Sequence, residues 1–295
     1  MQDICVFSSS SENSNWLDVF QHLVDNYGLE FPQILDSGKH GRWALEARGN
    51  LDKDQISAIR ATSQLDINCI SSEERRKKLL IADMDSTIIR QESLDHLADI
   101  AGIGDEIAKI TAAAMAGALD FEQALDKRVG MLAGSPAHLL DQVIAETKIT
   151  SGAAELVGTM RAHGAKCYLV SGGFTFLTGP ISEQLGFHGH NANQLNILDG
   201  ALSGTVEKPI LDRDAKLTRL NSLCDALGIN LSDAATVGDG ANDLAMLEAA
   251  GLGVAFEGKP LLREAINIQL NHTDLAGLLY LQGFHGSEFQ TFQHA

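Results

Sequence analysis

Four short apolar runs after residue 77 constrain the fold of this chain more than any other feature of its sequence. They are Lys78–Met84, Lys166–Val170, Ala234–Val237 and Leu252–Phe256. Each run is apolar on both faces, which is typical of parallel strands that helices cover on both sides. Helical patterns alternate with them, at Ala153–His163, Asp214–Leu227 and Asn242–Ala249. This alternation predicts an α/β fold built on a doubly wound parallel sheet.

Polar clusters that contain glycine follow three of the runs, at the point where each strand should end. They are Asp83–Thr87 (DMDST), Ser171–Gly173 (SGG) and Gly238–Asp243 (GDGAND). Because ligands of open α/β sheets bind outside the carboxyl ends of the strands, we expect the three clusters to converge. A turn requires glycine but does not require several acidic side chains close together. The sequence therefore predicts one functional site at this edge of the sheet.

The acidic side chains of these clusters are Asp83, Asp85, Asp239 and Asp243. Carboxylates crowded into a partly dry site repel one another unless a cation lies between them. Oxygen ligands without histidine or cysteine favour Mg²⁺ over zinc or copper. An aspartate after a strand is also a common helix N-cap, and Asp243 alone fits that structural role. A bound magnesium ion explains the set of four better than helix capping does.

The segment between the first and second runs has no strand pattern, and it predicts a helical cap over about residues 92–152. Its helical stretches are Ser93–Ala101, Asp105–Ala116 and Phe121–Leu132. Helical spacing places four residues of the third stretch on one face: Phe121, Leu125, Arg128 and Leu132. An arginine inside an apolar stripe requires an anionic partner. A substrate carboxylate or a structural salt bridge would supply it.

The N-terminal residues predict a small separate α+β domain, residues 1–72. Strand patterns occur at Asp3–Ser8, Glu30–Ser37, Arg42–Ala47 and Asp66–Ile70, and helical patterns at Ser14–Gly28 and Asp52–Leu65. The order β-α-β-β-α-β is typical of a ferredoxin-like fold. The charged segment Ser71–Lys78 (SSEERRKK) then predicts a linker that few contacts cross, before a second domain at residues 78–285. The polar residues after Gly283 predict a frayed end.

Charge and composition exclude several classes of function. With 39 acidic and 22 basic residues, the formal net charge is −17, which argues against nucleic-acid binding. No apolar run is long enough to span a bilayer, and the N-terminus has no signal-peptide pattern, so no membrane partner is expected. The four cysteines are scattered, which argues against a disulfide framework. We therefore expect a cytoplasmic protein with reduced cysteines.

Several motifs together resemble the haloacid dehalogenase (HAD) superfamily. They occur in its order and spacing: Asp83-x-Asp85-Ser86-Thr87 after an apolar strand, Ser171–Phe174 (SGGF), Lys216 and Gly238–Leu247 (GDGANDLAML). Within that superfamily, the part of the chain from about Lys78 to Leu270 is most similar to phosphoserine phosphatases. The segments that carry this likeness are Asp83–Glu92 (DMDSTIIRQE), Met115–Phe121 (MAGALDF) and Lys127–Val129 (KRV). The N-terminal unit resembles, in architecture only, the ACT-like extension of some members.

The resemblance implies Mg²⁺-dependent hydrolysis of O-phospho-L-serine, the last step of serine biosynthesis, through an aspartyl-phosphate. It makes Asp83 the nucleophile and Asp85 the general acid and then the general base. The implied metal ligands are Asp83, the backbone carbonyl of Asp85, and Asp239, with Asp243 in or near the second layer around the metal. The implied substrate-binding residues are Ser171, Gly172 and Lys216 for the phosphoryl group, Arg128 for the carboxylate, Glu92 for the ammonium group, and Asn242.

Other interpretations of these residues stay open. The substrate could be another small phosphorylated amino acid, such as phosphohomoserine or phosphothreonine. A serine-sensing regulatory protein with a relic core is a second alternative, against which the intact catalytic set argues. Lys216 could be an ordinary solvated helix lysine, and Glu92 an exposed hinge residue. Ala116 and Ala118 stand where relatives more often carry charged residues. A homodimer that acts on a small molecule is compatible with all of these features.

Overall fold

The structure, a computed structural model, describes residues 3–10, 16–38, 41–115 and 120–293. The elements of its N-terminal unit are β1 (Asp3–Ser9), α1 (Trp16–Tyr27), β2 (Glu30–Ser37), β3 (Trp43–Arg48), α2 (Lys53–Thr62) and β4 (Asp66–Ser71). The strands form an antiparallel sheet in the order β2-β3-β1-β4. Phe7, Phe20 and Ile67 lie in its apolar core. The order of elements is the one that the sequence predicts.

The residues after the linker contain a sheet of six parallel strands. Their elements in chain order are β5 (Leu79–Ala82), α3 (Ser93–Ile100), α4 (Gly104–Met115), α5 (Phe121–Met131), α6 (Leu139–Glu146), α7 (Ala153–Ala162), β6 (Lys166–Phe174), α8 (Thr175–Leu185), β7 (Gly189–Asn193), β8 (Leu195–Leu198), β9 (Ala201–Val206), α9 (Arg213–Leu227), β10 (Ala234–Gly238), α10 (Leu244–Ala249), β11 (Leu252–Phe256), α11 (Pro260–Ala265), β12 (Gln269–Leu270) and α12 (Gly277–Leu281). The sheet has the order β12-β11-β10-β5-β6-β7. Its neighbouring strands are parallel throughout.

Alternate residues of β5 pack on opposite faces of this sheet. Leu80 lies in one apolar cluster with Leu177 of α8, whereas Leu79 and Ile81 lie in a second cluster with Leu220 of α9. Helices therefore cover both faces, which explains why the strand is apolar along its whole length. The parallel sheet places the carboxyl ends of β10, β5 and β6 side by side.

Helices α3 to α6 form an insertion between β5 and β6. The insertion is joined to the hairpin of β8 and β9, because the Gly134 amide donates to the Leu202 carbonyl and the Leu202 amide donates to the Ser135 carbonyl, both at 2.8 Å. Within the Met115–Phe121 segment, residues 116–119 and the side chain of Met115 lie outside the described residues. Ala116 and Ala118 are among these residues.

The linker contacts segments on both sides of it in the chain, so the prediction that few contacts cross it was wrong. The Arg75 guanidinium lies 2.8 Å from the Glu46 carboxylate and also donates to the carbonyls of Tyr280 and Leu281. Arg76 forms an ion pair with Glu288 at 2.9 Å. The charges of Arg75 and Arg76 are neutralised by carboxylates from distant segments, and these partners cannot be recognised from local sequence.

A buried polar interface also joins the two units directly. The Asp66 carboxylate, 2% exposed, accepts hydrogen bonds from the backbone amides of Asn271, His272 and Thr273 at 2.7 to 3.0 Å. The Tyr280 hydroxyl donates to Asp36 at 2.7 Å. The residues after Gly283 are packed as well, since the Gln290 amide donates to Thr159 Oγ1 at 2.8 Å. The prediction of a frayed end was wrong for this described part of the tail.

Cys5 and Cys69 form a disulfide, so the expectation of four reduced cysteines was wrong. The two residues are directly opposite on the neighbouring strands β1 and β4. A sequence separation of 64 residues hides this pairing, because only the strand register brings the two together. Cys167 and Cys224 are free and buried, as expected of core cysteines. Among the described residues, no helix has the length and apolar character needed to cross a membrane.

Candidate active site

The carboxyl ends of three neighbouring strands bring the predicted polar clusters together. Asp83 follows β5, Ser171 lies in β6, and Asp239 follows β10, with β5 between the other two strands in the sheet. Two glycines permit the close packing of these segments. A Cβ atom on Gly173 would collide with the Asp85 carboxylate, and one on Gly238 would collide with Asp243. The convergence expected from the sequence is confirmed.

A tight turn at Met84–Ile88 holds Asp85 beside the nucleophile candidate Asp83. Asp85 Oδ1 accepts a hydrogen bond from the Ser93 amide at 2.8 Å, and Oδ2 accepts one from Ser171 Oγ at 3.3 Å. Burial, followed by the nearby Glu92 carboxylate, raises the pKa of Asp85 to about 6. A carboxyl group with such a pKa can both give and take a proton near neutral pH.

Lys216 is buried between two carboxylates behind the strand ends. Its Nζ atom lies 2.8 Å from Asp83 and 2.6 Å from Asp243. Burial works against its charge, but Asp243 and Asp83 raise the pKa of Lys216 above its usual value. Burial and Asp243 also raise the pKa of Asp83, against the opposing effect of Lys216. The alternative of a solvated helix lysine is therefore wrong, since Lys216 is 2% exposed.

Three carboxylates lie close enough together to share a cation. Oxygen atoms of Asp83, Asp239 and Asp243 lie within 4.8 Å of one another, and all three residues are buried. A donor group made only of carboxylate oxygens fits a hard divalent metal ion. The side chain of Asp85 is turned towards Ser93 and Ser171 instead. This is compatible with the expectation that Asp85 would contribute its backbone carbonyl.

A cavity of about 200 Å³ collects most of the predicted site residues. Its wall includes Asp83, Asp85, Glu92, Arg128, Ser171, Gly172, Asp239 and Asn242. Phe121 of α5 also contributes, so the helical insertion and the strand ends enclose the cavity together. Lys216 and Asp243 lie next to Asp83 but do not line this cavity.

The guanidinium of Arg128 has an incomplete set of partners. Its Nη1 atom lies 3.4 Å from Thr111 Oγ1 and 3.7 Å from the carboxylate of Asp95, a residue that sequence reasoning missed. Its Nε atom is buried and has no hydrogen-bond partner in the described part of the chain. A buried donor without a partner destabilises a protein, and an anion bound beside Arg128 would supply the missing acceptor.

Lys259 is a second cavity residue that sequence reasoning missed. Its Nζ atom lies 3.0 Å from Asp239 Oδ2 and 3.5 Å from Glu92 Oε1. Lys259 lies just after β11, the fourth apolar run, at the same edge of the sheet as the other clusters. The sequence does contain an indication of this residue, because Lys259 follows the fourth apolar run in the way that the polar clusters follow the first three.

Comparison with known proteins shows that the segment containing the candidate site is similar to known enzymes. The sequence model of the haloacid dehalogenase-like hydrolases matches residues 80–248. A phosphoserine phosphatase of Streptomyces coelicolor is 46% identical over 274 residues, which cover 90% of this chain and 67% of that protein. The match to the family spans all three polar clusters.

Solved structures show the same relationship. An HAD family hydrolase from Salmonella enterica serovar Typhi superposes with a TM-score of 0.85 at 29% identity, over 95% of this chain and 98% of that one. A substrate-bound phosphoserine phosphatase complex superposes with a TM-score of 0.65 at 40% identity, over 69% of this chain and 97% of that one. The first similarity includes the N-terminal unit, because it covers nearly the whole chain.

Proposed function

The chain belongs to the haloacid dehalogenase-like hydrolases, and on that premise we propose that it hydrolyses O-phospho-L-serine to L-serine and phosphate. The observation that carries this proposal is one cavity that joins the carboxylates of Asp83 and Asp85 to the side chains of Arg128 and Glu92. Phosphoserine has a phosphoryl, a carboxylate and an ammonium group. The cavity provides a chemical counterpart for each of the three, and phosphoserine phosphatases are among the relatives.

The first step is attack of the Asp83 carboxylate on phosphorus. A bond forms between the carboxylate oxygen and phosphorus, while the bond from phosphorus to the serine oxygen breaks. Asp85 donates its proton to that oxygen, so serine leaves as the alcohol and Asp83 becomes an aspartyl-phosphate. The contact with Lys216 supports this role, because its fixed positive charge orients the Asp83 carboxylate and opposes the effect of burial and Asp243 on the pKa of Asp83.

The second step is hydrolysis of the aspartyl-phosphate. A water molecule attacks phosphorus, Asp85 accepts its proton, and the bond between phosphorus and the Asp83 oxygen breaks. Phosphate leaves, Asp83 is again a carboxylate, and Asp85 has recovered the proton that it gave in the first step. The raised pKa of Asp85, about 6, suits a group that acts in both directions.

Binding of the phosphoryl group would fall to residues at the ends of β6 and β10. The Ser171 hydroxyl is fixed by the Gly173 amide, which donates to it at 2.8 Å. Ser171, the Gly172 amide and Asn242 line the cavity and would bind the phosphoryl oxygens, while Lys216 of α9, which contacts Asp83, would supply a positive charge to the same group. Asp83, Asp239 and the carbonyl of Asp85 would hold Mg²⁺, with Asp243 fixing Lys216. The metal supplies charge neutralisation on the phosphoryl group.

Selection of the amino acid would depend on the wall of the cavity near the insertion. Arg128 would bind the substrate carboxylate through its fork of donors, which explains why its buried Nε atom lacks a partner within the described residues. Glu92, which lies at the start of α3, would bind the ammonium group. The insertion would thus act as a cap whose residues recognise the amino acid while the strand ends bind phosphate.

The proposal is tested by measuring phosphate release from L-phosphoserine with Mg²⁺, with EDTA, and after Mg²⁺ is restored. We expect turnover that EDTA abolishes and Mg²⁺ recovers. A panel of phosphothreonine, phosphohomoserine and p-nitrophenyl phosphate separates the proposed substrate from the alternatives. A much higher kcat/KM for another member of the panel would refute the substrate assignment. No turnover of any of them would favour a regulatory protein.

The remaining predictions concern the setting of the enzyme. A homodimer, a cytoplasmic location and a role in serine biosynthesis stay predictions. The ACT-like character of the N-terminal unit and the domain limits at residues 72 and 78 also stay predictions. Size-exclusion chromatography with light scattering would test the oligomeric state directly.

A further inference from the structure

Lys259 connects two carboxylates that have different tasks in the proposed reaction. Its Nζ atom lies 3.5 Å from Glu92, the candidate partner of the substrate ammonium group, and 3.0 Å from Asp239, a candidate metal ligand. We propose that Lys259 is an internal counter-ion of Glu92, which the ammonium group of the substrate must displace. Lys259 is then a positioning residue that limits how strongly substrates with an amino group are preferred. This inference rests on the proposed function.

The backbone of Lys259 is fixed, whereas its side chain is half-exposed. The Lys259 amide donates to the Asp239 carbonyl at 2.8 Å, and the Lys259 carbonyl accepts from the amides of Leu262 and Arg263 at the start of α11. The Lys259 side chain is 53% exposed. A flexible four-carbon arm on a fixed base can exchange one carboxylate partner for another without a change in the fold.

The Glu92 carboxylate is held by two donors that lie outside the helical insertion. Ser86 Oγ donates to Glu92 Oε1 at 2.9 Å, and Lys259 approaches the same oxygen. Both Glu92 and Lys259 line the cavity, so an ammonium group bound there would compete with Lys259 for one carboxylate. A phosphate without an amino group leaves the pair of Glu92 and Lys259 intact.

This competition has a measurable consequence for selectivity. Removal of the Lys259 charge should weaken the binding of every phosphate ligand to a similar degree, because a positive charge is lost from the wall of the cavity. Only an amino-bearing substrate gains from removal of the competitor at Glu92. Half-exposed ion pairs are weak, so the relative gain should be roughly two- to fivefold. Replacement of a residue that only maintains the structure would change the affinities for both classes of ligand equally.

The experiment measures binding without turnover, by calorimetry with Mg²⁺ on Asp83→Asn protein. The two ligands are L-phosphoserine and 3-phosphonooxypropanoate, which is phosphoserine without its amino group. We expect Lys259→Met to increase the ratio of their affinities in favour of phosphoserine by about two- to fivefold. Lys259→Arg, which restores the charge, should return the ratio towards its original value. In a Glu92→Gln background, Lys259→Met should not change the ratio.

Lys208 provides a matched control for this substitution. It is 54% exposed and also bridges two carboxylates, those of Asp126 at 3.1 Å and Glu122 at 3.9 Å, but it does not line the cavity. Lys208→Met should leave the affinity ratio unchanged. An unchanged or lower ratio in Lys259→Met would overturn the inference. If the wild-type protein hydrolyses phosphoserine, an unchanged or lower ratio rejects only the role of Lys259 and leaves the proposed function intact. Absence of hydrolysis rejects the proposed function, and this inference with it.

Discussion

The ammonium nitrogen of Lys216 lies 2.8 Å from the Asp83 carboxylate, in a position where the lysine is 2% exposed. Asp243 binds the same nitrogen at 2.6 Å and is itself fully buried. The Asp243 carboxylate is held in turn by the Gly240 amide, which donates to its Oδ2 atom at 3.0 Å. This chain of contacts fixes a positive charge beside the proposed nucleophile.

Replacement of Lys216 by methionine should lower kcat for phosphoserine by about 100- to 1,000-fold, the usual effect of removing a preorganised charge from a transition state. Steady-state phosphate release measures this loss. Lys208→Met is the control for loss of a lysine outside the cavity, and it should keep kcat within about twofold. A Lys216→Met protein that is folded by circular dichroism and retains a third of kcat would contradict the role given to Lys216.

Replacement of Asp83 by asparagine should reduce kcat by at least about 1,000-fold, because an amide oxygen is a poor nucleophile. Acid quenching of wild-type protein with ³²P-labelled phosphoserine should trap phosphate on the protein, and Asp83→Asn should trap none. Asp141→Asn, on an exposed part of α6, is the control and should behave as wild type. Labelled phosphate on Asp83→Asn protein would place the nucleophile elsewhere.

Truncation of Arg128 to alanine should lower kcat/KM for phosphoserine by roughly 30- to 1,000-fold, since the bound carboxylate would be desolvated without a partner. Arg128→Lys should recover only part of this loss, because an ammonium group cannot form the bidentate contact. The measurement is kcat/KM for phosphoserine and for p-nitrophenyl phosphate. An equal loss for both substrates would mean that Arg128, through Asp95, holds the cap together and does not select the substrate.

Replacement of Asp66 by alanine should decrease the free energy of unfolding by about 2–4 kcal/mol, because three backbone amides lose their buried acceptor. Chemical denaturation measures the change, and Asp54→Ala on the exposed side of α2 is the control. A change below about 0.5 kcal/mol would show that this interface is not tightly formed.

Removal of the whole N-terminal unit tests the same interface more severely. A chain that begins near Arg75 keeps every proposed site residue, but it loses Val6, Leu35 and Ala44 from the main apolar cluster. We expect such a chain to unfold at a lower temperature than the full-length protein. Thermal unfolding followed by circular dichroism would check this. An unchanged midpoint would restore the original interpretation of the linker as a simple connection between independent domains.

Local pattern was sufficient for much of the architecture. The apolar runs around Leu79–Ala82 and Ala234–Gly238 could be recognised as strands because burial on both faces requires continuous apolar sequence. The position of Asp83 and Asp239 after those strands then predicted their convergence, since parallel strands end at one edge of a sheet. The helical spacing of Arg128 likewise predicted a partly buried arginine beside apolar residues.

The sequence by itself determined the order of elements in the N-terminal unit, four of the six parallel strands and the acidic cluster at their ends, because these depend on patterns within a few residues; it missed β7 and β12. The tertiary structure alone decided which distant groups meet. It placed Lys259 between Glu92 and Asp239, and Asp95 beside Arg128. It also paired Cys5 with Cys69. Such contacts depend on strand register and on the packing of segments far apart in the chain. Charged side chains accept many partners, and only packing selects among them.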